Sequence, residues 1–257
     1  MTTVSRAHSF NAAAAQYAAN RPSYPPALLD ALEELAGRPL AGARVADVGA
    51  GTGISTALLH ARGAHVVAVE PGEGMAAQFR QTLPAVPIVR GDGNALPLAD
   101  ASLDLLTYAQ SWHWTTPDQS GPEAMRVLRP GGTLALWWNT TALDVPWIAA
   151  QQARIANHVG VHTGARQRPD QARATELSGL AALPGHGAVT LRHIRWSRRV
   201  PLETHLANLG SHSAFLVLDQ TDAEAFLTEE HTRLTTLFPA GTVEETYVVE
   251  LLTTTRT

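Results

Sequence analysis

The sequence predicts an α/β fold built on a doubly wound, mostly parallel sheet. Three observations carry that prediction. Val45 to Gly53 reads VADVGAGTG, a short apolar strand, a glycine turn at every second position and then the start of a helical apolar pattern. Glu70 stands at the tip of the next apolar run, about twenty residues further on. Strand-like and helix-like segments then alternate along the chain, which is the signature of crossover connections.

Taken in order, Phe10 to Ala19 is alanine-rich and suits a short helix, which RPSYPP ends. Ala27 to Ala36 reads as a second helix with Leu28, Leu29, Leu32 and Leu35 on one face. The first strand ends in Asp47. Gly49, Gly51 and Gly53 follow, where backbone without Cβ can turn tightly and let a ligand lie directly on it. Unpaired N–H groups of the next helix, from Ile54, add to that spot. His65 to Val69 is the second strand. Glu70, with Pro71 behind it, is placed either to accept hydrogen bonds from ribose hydroxyls or to lie as a solvated loop acid. Gly74 to Gln81 is a helix, Val86 to Val89 the third strand and Leu103 to Tyr108 the fourth. Between them Asp92 is positioned to accept from an adenine amino group. Asp118 to Val127 is a helix, and RPGG reads as a turn into strand Thr133 to Trp138. Helices are expected at Val145 to His158 and Asp170 to Leu180. A strand follows at Leu191 to Val200, a short helix at Glu203 to Leu209 and a long one at Asp222 to Phe238. The last strand is Glu244 to Leu252.

Composition excludes several chemistries. The 257 residues carry no cysteine, so disulfides, thiolate zinc sites and cysteine nucleophiles are ruled out. All 19 basic residues are arginines, so no lysine can form a Schiff base. His158 and His162 have i, i+4 spacing, but Gly160 lies between them and no carboxylate assists; no metal site is expected. Arg192, Arg195, Arg198 and Arg199 alternate between the faces of a strand and form no basic stripe, so no nucleic-acid partner is expected. The start, MTTVSRAHSF, has no apolar leader, and no run of about 18 apolar residues is present, so neither a membrane span nor export is expected. A cytoplasmic chain of 45% apolar residues with net charge −4 fits these readings.

DVGAGTG, VEPGEGM, GDGNALPLADASLD and RVLRPGGTLAL, in that order and at these distances, resemble the successive motifs of class I S-adenosylmethionine-dependent methyltransferases. The small-molecule, trans-aconitate-type branch is most similar in pattern. The resemblance runs from about Phe10 to Asn139. It implies one Rossmann-like domain over residues 1–257, with seven strands, the last antiparallel, an N-terminal helical lid over about 1–38 and a cap insertion over about 140–188. It also implies direct displacement on the sulfonium methyl, releasing S-adenosylhomocysteine, with a small-molecule acceptor, plausible in secondary metabolism. The implied cofactor contacts are Tyr17 and Arg21 from the lid, Asp47 toward the amino group, and Gly49, Gly51 and Gly53 as a floor. Glu70 and Pro71 then serve the ribose, Met75 the adenine face, and Asp92, Gly93 and Asn94 the adenine edge. Gln110 and Trp112 stand near the methyl. Asn94 replaces an acid common in the family. Arg21 suits either the cofactor carboxylate or a helix cap, and Met75 and Trp112 suit either a ligand or the core. His113 is a shared structural residue or a general base. His212 is a base or an exposed loop residue. Two alternatives stay open: an enzyme of this fold that cyclises or rearranges the cofactor, and a nicotinamide oxidoreductase. The latter lacks a third glycine after Gly49 and Gly51.

Overall fold

The computed structural model describes residues 20–163, 179–181, 183–216 and 218–257. The helix expected over Phe10 to Ala19, Tyr17 within it, and most of the one over Asp170 to Leu180 lie outside the described residues.

Helix α1 (Pro26–Ala36) starts on a proline, whose fixed φ suits the first turn, and ends where Gly37 takes φ 62°. Strand β1 (Arg44–Val48) leads through the glycine turn into α2 (Ile54–Ala61). Then follow β2 (His65–Val69), α3 (Glu73–Thr82), β3 (Ile88–Val89) and β4 (Leu103–Ala109). A single 3₁₀ turn (Trp112–Trp114) precedes α4 (Pro117–Val127) and β5 (Leu128–Thr141). The rest is α5 (Pro146–Thr163), β6 (Thr190–Pro201), α6 (Leu202–Gly210), α7 (Ser213–Leu216), α8 (Gln220–Leu237) and β7 (Thr242–Thr255).

The sheet has seven strands in the order β3-β2-β1-β4-β5-β7-β6. β1 to β5 pair in parallel. Gly131 bonds to Arg256 while Ala142 bonds to Thr246, so β7 runs antiparallel to β5. β1 to β3 run outward to one side and the chain then returns to place β4 on the other side of β1; α/β sheets bind ligands at such a reversal, beyond the C-terminal tips of the two central strands.

RPGG is not a turn before β5 but a bulge within it. Leu103 pairs with Leu128 and Leu105 with Thr133, so Asp104 alone faces Arg129 to Gly132. Asp104 explains the insertion. It accepts from the Arg44 backbone N–H at 2.7 Å and pairs with Arg38, Arg44 and Arg129 at 3.0, 3.2 and 2.8 Å. Burial raises its pKa, but the Arg44 hydrogen bonds and the other two charges outweigh that and hold it at about 2.

The described chain divides into two compact units. Among the described residues, one comprises 20–22, 140–163, 195–216 and 218–248; the other comprises 23–139, 179–181, 183–194 and 249–257. The second unit is centred on a core that includes Ala46, Val48, Leu106, Tyr108, Trp112, Leu134 and Leu136. In the first unit, Leu202, Leu206, Leu234 and Val243 form one cluster, and Leu209, Phe215 and Phe226 another. Among the described residues no helix is long and apolar enough to cross a membrane.

Candidate functional site

The second unit gathers most of the residues read from the motifs. The three glycines differ in what they do. A Cβ on Gly49 would overlap the Cβ of Ser111, and one on Gly53 would meet Leu83 at 2.6 Å. Both are demanded by packing. Gly51, at φ +58°, has nothing within 4 Å of the Cβ position. It alone borders open space, with its N–H turned onto Glu70 Oε2 at 2.8 Å.

Glu70 is buried at the tip of β2. Its other oxygen accepts from the Gly72 N–H at 2.7 Å. Burial raises its pKa, against the two backbone hydrogen bonds and the charge of Arg90. Each carboxylate oxygen has more than one acceptor site, so both retain capacity for a ligand hydroxyl. Arg90 also donates to the Pro71 carbonyl, which fixes the loop beyond the acid.

Asp47 is fully buried. Oδ2 accepts from Thr56 at 2.6 Å and Oδ1 from Thr107 at 2.8 Å, which ties β1 to α2 and β4. Burial dominates and pushes its pKa up to about 6. A raised acid binds its proton more tightly folded than unfolded. Its charge therefore lowers stability as pH rises from about 3.8 toward 6. Asp47→Asn is expected to melt higher than the parent at pH 8, and to lose that advantage at pH 4. Calorimetric melts at both values check this. An advantage of equal size at both pH values would show that the charge is not the cause.

Asp92 is exposed, and its Oδ1 accepts from both the backbone and the side-chain nitrogen of Asn94 at 3.0 Å. Asn94 Oδ1 in turn accepts from the Thr116 N–H. An acid at 94 has no donor to offer Asp92, so asparagine has a local physical reason here. Gly93 is wedged against Thr115, Tyr108 and Val48. Met75 is buried on α3 beside Ala76 and Phe79, which fits the core reading.

At the tip of β4, Gln110 adopts φ +56°, a conformation that non-glycine residues take mostly at constrained sites. Its Nε2 donates to the Tyr24 hydroxyl at 3.2 Å, and Tyr24 packs edge-on against Trp137 at 6.1 Å. Sequence reading overlooked Tyr24, because RPSYPP looked like a helix breaker only. Trp112 is buried, edge-on to Tyr108 at 4.8 Å. His113 is exposed, and its Nδ1 accepts from the Trp138 indole N–H at 3.3 Å. A neutral imidazole so engaged carries its proton on Nε2.

The first unit holds a buried polar chain that the sequence reading missed. Asn208 Nδ2 donates to the Tyr247 hydroxyl at 3.3 Å, and that hydroxyl donates to Glu245 Oε2 at 2.8 Å. Glu245 Oε1 meets His205 Nδ1 at 2.7 Å, and His205 Nε2 meets Gln151 Oε1 at 3.2 Å. Gln151 continues to Glu230, which pairs with Arg154. Arg198 closes on Glu245 at 2.5 Å. Burial raises the Glu245 pKa, but His205 and Arg198 outweigh it and hold it at about 2. One signal was legible. Glu245 and Tyr247 share the inward face of β7 with Val243 and Val249, and a carboxylate on an apolar face needs a buried partner. Arg21 Nη2 donates to the Ser211 carbonyl at 3.2 Å. His212 lies next to it, half-buried. Burial first, then the charge of Arg21, pushes its pKa down to about 3.

The arginines of β6 are each tied to a carboxylate, Arg192 to Glu34, Arg195 to Asp144, Arg198 to Glu245 and Arg199 to Glu244. No cluster of three or more metal-ligating side chains is present among the described residues.

Comparison with known proteins points the same way. A methyltransferase domain family model matches residues 46–136. A methyltransferase-like protein of Schizosaccharomyces pombe is 30% identical over 221 residues, covering 84% of this chain and 82% of that one. A methyltransferase of Mycobacterium tuberculosis is 44% identical over 140 residues, which is 54% of this chain and 56% of the relative; the match thus spans about half of that protein's length. A solved structure from Anaeromyxobacter dehalogenans, described as a type II methyltransferase, superposes with TM-score 0.67 and 26% identity over 91% of this chain and 97% of that one.

Proposed function

Because the chain belongs to the class I S-adenosylmethionine-dependent methyltransferase family, we propose that it methylates a small molecule and holds its cofactor at the strand tips of the second unit. The observation that carries this is the pairing of Gly51, which faces open space, with the buried carboxylate of Glu70. These residues fit the cofactor. Gly51 offers backbone that a ligand can lie on, Glu70 retains acceptor sites for ribose hydroxyls, and Asp92 is open to an adenine amino group. Asp47, Gly49, Gly53 and Gly93 shape the floor, while Gln110 and Trp112 close the β4 tip. When bound, the cofactor supplies an electrophilic sulfonium methyl.

The chain's own contribution is positioning. His113 has its Nδ1 engaged by Trp138, and His212 stays neutral and is a weak base. Of the two, His212 is a poor base near neutral pH. The pairing of every β6 arginine with a carboxylate supports a small molecule over a nucleic acid. A place in secondary metabolism belongs to the same proposal.

Calorimetry is expected to show binding of S-adenosylmethionine and S-adenosylhomocysteine, and none of NADH or NADPH. Incubated with S-adenosylmethionine alone, the protein should leave it intact; with extracts containing an acceptor, mass spectrometry should find S-adenosylhomocysteine and a product heavier by one methylene. Rapid methylthioadenosine formation without acceptor would overturn methyl transfer.

A further inference from the structure

We propose that Arg38, Arg44 and Arg129 form a binding site for a phosphate group at the N-terminal edge of the sheet. The site lies wholly within the second unit and does not depend on the methyltransferase reading. Arg38 stands just after α1, Arg44 opens β1, and Arg129 lies in the bulge of β5. Asp104, the second residue of β4, joins them. The opposite ends of β1 and β4, at Val48 and Ala109, lead to the cofactor position proposed above. All three guanidinium groups meet one oxygen of one carboxylate. Asp104 Oδ1 is 3.0 Å from Arg38 Nη1, 3.2 Å from Arg44 Nη2 and 2.8 Å from Arg129 Nε. No other carboxylate among the described residues pairs with these arginines, so the cluster keeps two positive charges in excess. Other arginines of the unit are neutralised. Arg62 meets Asp30 and Glu33, Arg126 meets Asp100 and Glu123, and Arg192 meets Glu34.

Asp104 does not absorb the surplus of donors. A carboxylate offers about four acceptor sites, and the backbone N–H, Nε and Nη2 of Arg44 take three of them. Nε and Nη1 of Arg38 and Nε of Arg129 are buried and make no hydrogen bond among the described residues. Arg38 Nη1 and Arg129 Nε thus stand at ion-pair distance from Asp104 without hydrogen-bond geometry. Buried donors are nearly always satisfied, and an added oxyanion satisfies donors and excess charge together. Two features choose its class. Guanidinium forks match the oxygens of phosphate, and a phosphate group near neutral pH carries close to the two negative charges that balance the cluster. The side chains of Arg44 and Arg129 are 51% and 42% exposed, so a ligand can reach them from solvent. The three groups converge on one point and do not follow a line. That suits one phosphate of a small molecule and not a nucleic-acid backbone. Once bound, it ties together the loop after α1, the start of β1 and the bulge of β5.

The test titrates inorganic phosphate and, separately, glycerol 3-phosphate into the full-length protein at constant ionic strength, with sodium chloride as the balancing salt. The arginine Nε–H signals are followed by proton–nitrogen NMR and assigned by substitution. Those of Arg38 and Arg129 are expected to shift saturably, with a dissociation constant on the order of 1 mM. Arg44→Gln and Arg129→Gln should each weaken binding about tenfold. Arg44→Lys keeps the charge and loses the fork. It should weaken binding less, and it carries the test if the glutamine variants do not fold. The rise in melting temperature that phosphate produces by mass action should shrink in the same variants. Arginines that served only to brace Asp104 would lower the melting temperature and leave phosphate affinity unchanged. Tighter binding of glycerol 3-phosphate assigns the site to an organic phosphate, and equal binding assigns it to free phosphate; both support it. Shifts that do not saturate, shifts that chloride reproduces, or an affinity that survives the substitutions would overturn the site.

Discussion

Glu70→Ala is expected to weaken S-adenosylmethionine binding about 10- to 100-fold. The side chain is buried at the strand tip with one oxygen on Gly51 and the other on Gly72. In the proposed complex the same oxygens accept ribose hydroxyls. Hydrogen bonds to a charged group contribute roughly 1.5–3 kcal/mol, and every ~1.4 kcal/mol is tenfold in affinity. Alanine removes both that interaction and the acceptor that orders the glycine turn. Gly51 is only partly buried, but Gly72 is buried and its orphaned N–H costs about 1–3 kcal/mol, so the melting temperature should fall by roughly 2–12 °C. Isothermal titration beside thermal unfolding separates the two effects. A lower melting point with unchanged affinity would show that the carboxylate serves the turn and not the cofactor.

Gly49→Val is expected to lower the melting temperature by roughly 5–20 °C, or to prevent folding. Two effects add. Gly49 sits at φ +65°, which a β-branched residue adopts only at about 1–3 kcal/mol. Its new Cβ would also overlap Ser111, whose hydroxyl donates to the Val48 carbonyl at 2.5 Å and anchors the loop after β4. Overpacking of that kind typically adds ~1–3 kcal/mol, and each kcal/mol is worth about 2–4 °C in a chain of this size. Gly51→Ala is the control. Its backbone is similarly left-handed, but a Cβ there meets nothing. That variant should melt close to the parent and, on the proposed placement of the cofactor, lose cofactor affinity, because its methyl enters the open space beside Gly51. Equal melting losses for the two variants would remove the distinction between a packing glycine and a ligand glycine.

Local pattern determined the architecture of this chain. Apolar runs of four to seven residues, each followed by a turn and a helical stripe, can bury their surfaces only as strands and crossover helices. β2 at His65–Val69 falls where the sequence placed it, α1 begins one residue earlier, and α3 is one residue longer at each end. The glycine turn and the acid at residue 70 were equally legible, because a tight turn and a carboxylate at a strand tip depend on residue type and spacing alone. Tertiary structure decided the rest. Which of three identical glycines faces open space depends on Ser111, Leu83 and Phe79, none of which is near in sequence. RPGG reads as a turn, yet Asp104 and the three arginines around it hold it within a strand as a bulge. How His113 and His212 are engaged depends on Trp138 for the first, and on burial and then Arg21 for the second, all set by packing. The chain from Asn208 to Glu230 joins residues from two helices, a strand and α8, so no window of sequence contains it. Spacing fixes what neighbours along the chain can do; the protonation and orientation of a polar group are fixed by what stands against it in space.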